Sequence, residues 1–260
     1  VSQNHKFFYG RIHGREKKRP STEYLRSLLP HYLLKGSDVG PNLSSLFGDK
    51  DINVWLEIGF GGGEHLATQM QLHPNVCFIG IEPFETGMCR LLRKIHPLNV
   101  LADMGPSLVA EQYYKRLRLV SDPAQVFLPC LPAQSISRIF ILFPDPWPKR
   151  KHHKRRLLNK PFLDALYRVM TPQSQLFLAS DHQNYVEHMW HLLGGHPGFQ
   201  YVRGISGPEP HLWGRWPYLD ESSPCEGWPL TRYGEKALIR GLPLAHMIWE
   251  RSGNFIEGAR

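Results

Sequence analysis

From Val54 onward, short apolar runs of strand length alternate with stretches in which apolar residues recur every three or four positions. Val54-Trp-Leu-Glu-Ile58 and Val76-Cys-Phe-Ile-Gly-Ile81 read as strands, with helices over Glu64–Leu72 and Glu85–Ile95. In the second helix Met88, Leu91, Leu92 and Ile95 fall on one face. Asn99-Val-Leu-Ala102 reads as a short third strand, followed by a helix across Ser107–Leu119. The strands Ile139–Leu142, Gln175–Ala179 and Phe199–Arg203 follow, separated by helices over Pro161–Met170 and about Tyr185–Leu193, and Ala245–Trp249 closes the series. Such alternation predicts an α/β fold, a largely parallel sheet with helices on both faces.

Upstream, Ser21 is the expected N-cap of a leading helix carrying Tyr24, Leu25, Leu28 and Leu29, which Pro30 should bend or end. Lys35–Asp51 reads as a polar loop, and Asp122–Pro132 and Gly204–Leu230 as irregular. The last, rich in proline and tryptophan, is expected to be a surface insertion. This divides the chain into a basic arm with its leading helix at 1–50 and one large domain at 51–260, with the insertion at about 204–230.

Composition narrows the class. At 260 residues and 42% hydrophobic, the chain is long enough to bury a full core. Its longest apolar runs fall far short of a membrane span, and the N-terminus has no apolar signal core, so no membrane partner is expected. Cys77, Cys89, Cys130 and Cys225 are scattered without metal-ligand spacing. Free thiols and no metal are therefore expected, in a cytoplasmic protein of bacterial type, with room for an organellar address upstream of residue 1. The net charge of +8 is unevenly placed: residues 1–20 carry six Lys/Arg against one acid, and residues 149–160 seven with none. The remainder is net negative. Two basic patches on an acidic body suit a polyanionic partner.

The second patch adjoins the most telling stretch. After the strand ending at Leu142, Phe143-Pro-Asp-Pro-Trp-Pro148 stops the ladder with three prolines and presents Asp145 on a stiff backbone beside the flat face of Trp147. An acid able to read a base edge, an aromatic ring and a phosphate-binding run together point to chemistry on a nucleic-acid base. A proline-stopped strand before a solvated basic helix explains each part alone, but not their conjunction. His152 and His153 are adjacent and point apart, so RNA contact or structure is expected of them rather than metal binding.

The other end of the chemistry follows the first strand. Glu57-Ile-Gly59-Phe-Gly61-Gly62-Gly63 fits E-x-G-x-G-x-G. A dinucleotide fingerprint would need a small residue at Glu64, and no Lys-Ser/Thr follows for a phosphate loop. Glu82, at the end of the second strand, stands where α/β folds hold a ribose diol. With Asp103 and Asp145, four acids close four successive predicted strands. A sulfonium nucleoside with an amino-acid tail would use them all. S-adenosylmethionine would set its ammonium against Glu57, its ribose against Glu82 and its adenine amine against Asp103, with the helix starting at Gly63 or Glu64 facing its carboxylate.

Taken together, the residues resemble the bacterial-type tRNA (guanine-N7-)-methyltransferase family. The resemblance rests on Tyr9-Gly-Arg-Ile-His-Gly-Arg15, Leu56-Glu-Ile-Gly-Phe-Gly61, Gly80-Ile-Glu82 and the run from Phe143 to Leu157. Ser180-Asp-His-Gln-Asn-Tyr185 and Thr231-Arg-Tyr-Gly-Glu-Lys236 extend it. It implies a Rossmann-like class I methyltransferase fold, with a mostly parallel seven-stranded sheet and an antiparallel last strand. The implied reaction is methyl transfer from S-adenosylmethionine to N7 of a guanine in the tRNA variable loop.

Carried over by motif, Glu57, Gly59, Gly61, Gly63, Glu82, Asp103 and Asp145 would hold the donor, and Asp145 would be catalytic. Lys149, Asp181, Thr231, Arg232, Tyr233 and Glu235 would bind substrate; Arg11, Arg15, Lys151, Lys154, Arg155 and Arg156 would grip the tRNA backbone. One departure stands out: the family glutamate expected three residues after the threonine is Gly234 here, with Glu235 following. Guanine N7 has an in-plane lone pair and no proton, so direct displacement needs no general base. Two other readings stay open. One is an amino-group methyltransferase acting on adenine N6, with Pro144-Asp-Pro-Trp147 as a variant motif; the other is a non-catalytic RNA-binding protein on the same fold. The sequence leaves oligomeric state open between monomer and homodimer.

Overall fold

The computed structural model describes residues 20–48, 52–96, 113–204, 231–240 and 244–253. The proposed donor contact Asp103, the arm residues Arg11 and Arg15, and residues 205–230 of the insertion lie outside them. The described residues fall into two compact units, divided between Pro132 and Ala133. Seven strands form one sheet in the order β3-β2-β1-β4-β5-β7-β6, namely β1 (Asn53–Ile58), β2 (Val76–Ile81), β3 (Leu117–Val120), β4 (Ile136–Leu142), β5 (Met170–Ser180), β6 (Phe199–Gly204) and β7 (Ala245–Arg251).

In the first unit β1, β2 and β3 run parallel, with Ile58 opposite Ile81 and Ile81 opposite Val120, so all three finish at the same edge. Every residue of β2 is buried, as is β1 after Asn53, which is why both read as apolar runs rather than alternating ones. Among the described residues of this unit are helices α1 (Pro20–Tyr32), α2 (Ser44–Phe47), α3 (Glu64–Leu72), α4 (Glu85–Ile95) and α5 (Ala124–Phe127). Helix α1 runs two residues past Pro30, and Ser21 lies inside it rather than capping it. Its Tyr32 hydroxyl meets His96 Nε2 at 2.6 Å in the core, where burial lowers the His96 pKa to about 4. The Arg116 guanidinium gathers the carbonyls of Met70, His73 and Val76, tying the end of α3 to the start of β2.

One expectation fails here. Leu117–Leu119 is strand, not the end of a helix: β3 forms at Leu117–Val120. The strand expected at Asn99–Ala102 lies outside the described residues.

In the second unit β4 and β5 are parallel, pairing Leu142 with Ala179, and β7 runs antiparallel between β5 and β6. That gives the expected antiparallel last strand. Helices α6 (Lys160–Val169), α7 (Gln183–Gly194) and α8 (Arg232–Ile239) belong to it. Asn159 caps α6 by accepting the Phe162 N–H at 3.1 Å. The basic run folds as a 3₁₀ turn, Arg150–Arg155, not as the start of an α-helix. Among the described residues no helix is long and apolar enough to cross a membrane, and no group of three or more potential ligands is placed to hold a metal.

Candidate active site

The glycine turn of the first unit is built by conformation. Gly59, Gly61 and Gly63 have φ of 74°, 56° and 73°, in the left-handed region where a side chain is strained. A Cβ on Gly63 would stand 2.7 Å from the Leu91 side chain, so α4 packs directly on this corner. A Cβ on Gly59 would meet nothing within 4 Å. The first glycine thus faces open space, and the third makes room for a helix.

Two carboxylates hold the turn. Glu82 Oε2 accepts the Gly61 N–H at 2.8 Å, and Oε1 accepts the Phe84 N–H at 3.1 Å. A Cβ on Gly87 would lie 2.4 Å from the Gly61 carbonyl oxygen, which fixes glycine where α4 crosses the loop. Glu57 Oε2 lies 2.8 Å from Nδ1 of His65, on the first turn of α3. A carboxylate only accepts, so Nδ1 carries the proton. Both partners are buried, at 4% and 2% exposure, and His65 is a site residue the sequence reading passed over.

The acid that follows the observed third strand is Asp122, two residues past Val120 and half-buried. Glu82 donates its backbone N–H to the Val120 carbonyl at 3.0 Å, so the Glu82 and Val120 backbones meet at the finishing edge of β2 and β3.

In the second unit, β4 runs out into the proline turn. Phe143 and Trp147 both have positive φ, 53° and 44°. Left-handed backbone at two bulky aromatics costs about 1–3 kcal/mol each and survives only where the surroundings enforce it. Asp145 sits midway between them. The residue is exposed, yet enough protein crowds its carboxyl that desolvation pushes its pKa above 3.8. The Phe143 N–H donates to the Ala179 carbonyl at 2.8 Å, joining this turn to the end of β5. Asp181, half-buried, follows β5 at once, so the two acids leave neighbouring parallel strands at one edge.

The cations divide into two groups. Lys149, Arg150, Lys151 and Lys154 are exposed, and Arg155 is half-buried with its guanidinium 5.0 Å from the Trp147 ring centroid. His152 meets the same ring edge-on at 5.8 Å. Arg156 departs from expectation: at 4% exposure it points into the protein and not toward solvent, where a phosphate contact would need it. Its Nε donates to the Pro146 carbonyl at 3.0 Å and its Nη2 to Asn184 Oδ1 at 2.6 Å, with the guanidinium 4.9 Å from the Tyr185 ring.

At α8, Thr231 Oγ1 accepts the Gly234 N–H at 3.2 Å, an N-cap bond. Gly234 is buried at the third helical position, where a glutamate would complete a capping box. Arg232, Tyr233 and Glu235 are exposed, and Glu235 lies on the next position of the helix.

Fold and site define a class before any closer kinship. The crystal structure of the antibiotic-resistance methyltransferase Kmr superposes with a TM-score of 0.51 at 14% identity, covering 85% of this chain and 95% of that one. The sheet is that of a Rossmann-like class I methyltransferase. A family model described as "Putative methyltransferase" matches residues 51–213. Two proteins named tRNA (guanine-N(7)-)-methyltransferase, from Chelativorans sp. (strain BNC1) and from Rhizobium etli, are 38% and 36% identical over 94% of this chain, covering 94% and 95% of their own lengths. This chain belongs to the tRNA (guanine-N(7)-)-methyltransferase family.

Proposed function

We propose that the protein methylates N7 of a guanine in the variable loop of tRNA, with S-adenosylmethionine as donor. The observation that carries the donor half is the glycine turn: positive φ at three alternate glycines, open space at Gly59, and carboxylates at Glu57 and Glu82. These residues fit a cationic nucleoside. Glu57 would meet the donor's ammonium through Oε1, since Oε2 is taken by His65. Glu82 would reach the ribose while still holding the Gly61 and Phe84 N–H groups, because each oxygen has a second lone pair. For the adenine amine we assign Asp122, at the end of the observed third strand, while Asp103 lies outside the described residues. When bound, the donor supplies an electrophilic methyl group on a sulfonium.

The residues of the second unit serve the acceptor. Guanine N7 has no proton to lose, so none of them is asked to act as a general base. Asp145 and Asp181 accept from the guanine N1–H and exocyclic amine, contacts that strengthen as the ring becomes cationic. One such charge-assisted bond is worth roughly 1.5–3 kcal/mol, about one to two decades in rate. Lys149, Lys151, Lys154 and Arg155 grip phosphates, and Arg11 and Arg15 of the arm add to that grip. Thr231, Arg232, Tyr233 and Glu235 lie against the RNA from the first turn of α8.

The test is product identity. Unmodified tRNA transcripts are incubated with labelled donor, and the modified strand is treated with alkali and aniline. Cleavage at one variable-loop guanine supports N7 transfer. Label resistant to cleavage and released as methyladenine would favour the amino-group reading. Absence of both donor binding and transfer would favour a non-catalytic RNA-binding role.

A further inference from the structure

We propose that Arg156 is a positioning residue that clamps the turn presenting Asp145, and does not belong to the RNA-gripping run in which it stands. This rests on the reading of Asp145 as the catalytic carboxylate.

Phe143 and Trp147 hold left-handed backbone on either side of Pro144-Asp-Pro146, and neither is a residue that adopts it freely. One flank is fixed by the Phe143 N–H on the Ala179 carbonyl. The other needs its own restraint. Pro146 lacks an N–H, so its carbonyl is the only backbone hydrogen-bonding group it offers, and Arg156 Nε takes it at 3.0 Å.

The guanidinium is held in turn by α7. Asn184 accepts at 2.6 Å from one side, and Tyr185, fully buried, lies against the guanidinium with its ring centroid 4.9 Å away. Two further bonds stitch the following segment to the same helix. The Leu158 N–H donates to the Tyr185 hydroxyl at 3.4 Å, and the Leu158 carbonyl meets His188 Nε2 at 2.9 Å.

Among the described residues, Arg156 has no acidic partner. Its partners are a carbonyl, an amide oxygen and a ring, which a planar fork meets together. Lysine keeps the charge but reaches one of them at a time. Loss of the clamp lets the turn relax, and displacement of a reacting group by about an ångström costs on the order of 100-fold in rate.

The experiment compares Arg156→Lys, Lys154→Ala and Asp145→Ala as full-length protein. Single-turnover rates are measured at saturating tRNA and donor, and tRNA affinity across a salt series. Donor-binding stoichiometry by calorimetry corrects each rate for the folded fraction. Arg156→Lys is expected to lose about 10- to 100-fold in the corrected rate, with tRNA affinity and its salt slope at wild-type values. Should Arg156→Lys fail to fold, Asn184→Ala removes one acceptor from an exposed position and is expected to lose rate in the same pattern, by a smaller factor. A wild-type rate in the folded variant would overturn the proposal. So would a loss of affinity with a shallower salt slope, which marks a phosphate contact. If Asp145→Ala keeps the wild-type rate, the underlying reading of Asp145 falls as well; if only Arg156→Lys and Asn184→Ala keep it, the clamp alone is refuted.

Discussion

His65 Nδ1 lies 2.8 Å from Glu57 Oε2, and both side chains are almost fully buried beneath the glycine turn. The pair turns Glu57 from a free acid into an oriented one, with one oxygen anchored and the other left for a ligand. His65→Phe removes the donor from a buried carboxylate, a loss that costs about 1–3 kcal/mol. The expected functional signature is selective. Affinity for S-adenosylmethionine falls about tenfold or more, while 5′-methylthioadenosine, which has no ammonium, binds as it does to wild type. Calorimetry with the two ligands checks this, and equal losses for both would remove Glu57 from the ammonium.

The glycines of the turn make separable demands. Gly63→Ala drives a methyl into Leu91 at 2.7 Å as well as straining a φ of 73°, so the melting temperature should drop. Gly59→Ala carries only the strain, about 1–2 kcal/mol, because nothing occupies the space beside it. Its methyl would instead stand where the donor is proposed to lie. Thermal melts with and without donor should show Gly63→Ala as the less stable apoprotein and Gly59→Ala as the one that loses stabilisation by ligand.

Asp122 and Asp103 make competing claims on the adenine amine. Asp122 follows β3 at the edge where Glu82 follows β2. Asp122→Asn should weaken binding of adenosine-based donors, with Asp103→Asn close to wild type. Competition between adenosine and inosine analogues of the donor gives a direct readout: only a variant lacking the true acceptor loses preference for the amine.

Asp145 carries a stability cost whose sign is fixed. Desolvation holds its folded-state pKa above 3.8, so the folded chain binds this proton more tightly than the unfolded one. Well below 3.8 both states are protonated and nothing is lost. As pH rises through the folded-state value, the folded state becomes progressively less favoured, and the full penalty stands at neutral pH. Asp145→Asn removes that charge, so it should melt higher than wild type at neutral pH while losing turnover, with the gap closing in acid. A melting temperature below wild type across the range would contradict the assignment.

Much of this was readable from residue order. The spans of α3, β2 and α4 follow the pattern closely because each is bounded by its own signal: the glycine corner, the proline at 74 and the acid at 82. The proline turn was equally legible, since three prolines leave the strand no way to continue. What failed has physical causes. Leu117-Arg-Leu-Val120 is too short to declare its period, and the cations around it resemble the polar face of a helix; the Asp122-Pro123 stop behind it was the usable signal. Arg156 is indistinguishable by type from the neighbours it follows. Only its contacts, a proline carbonyl and two α7 residues, separate it from them. His65 and Glu57 meet because a corner folds one over the other, which spacing along the chain does not announce.

In the proposed function labour is divided: a strained, clamped turn carries the chemistry, and the exposed cations behind it hold the RNA. Comparing Asp145→Ala with Lys154→Ala in single-turnover methylation, each with tRNA affinity across salt, tests that division most directly. The expected result is a rate lost by one to two decades in Asp145→Ala at unchanged affinity, and in Lys154→Ala a weaker, less salt-dependent affinity, its salt slope lower by about one, at a near-normal saturating rate. Wild-type turnover in Asp145→Ala, or a chemical defect in Lys154→Ala at full occupancy, would contradict it.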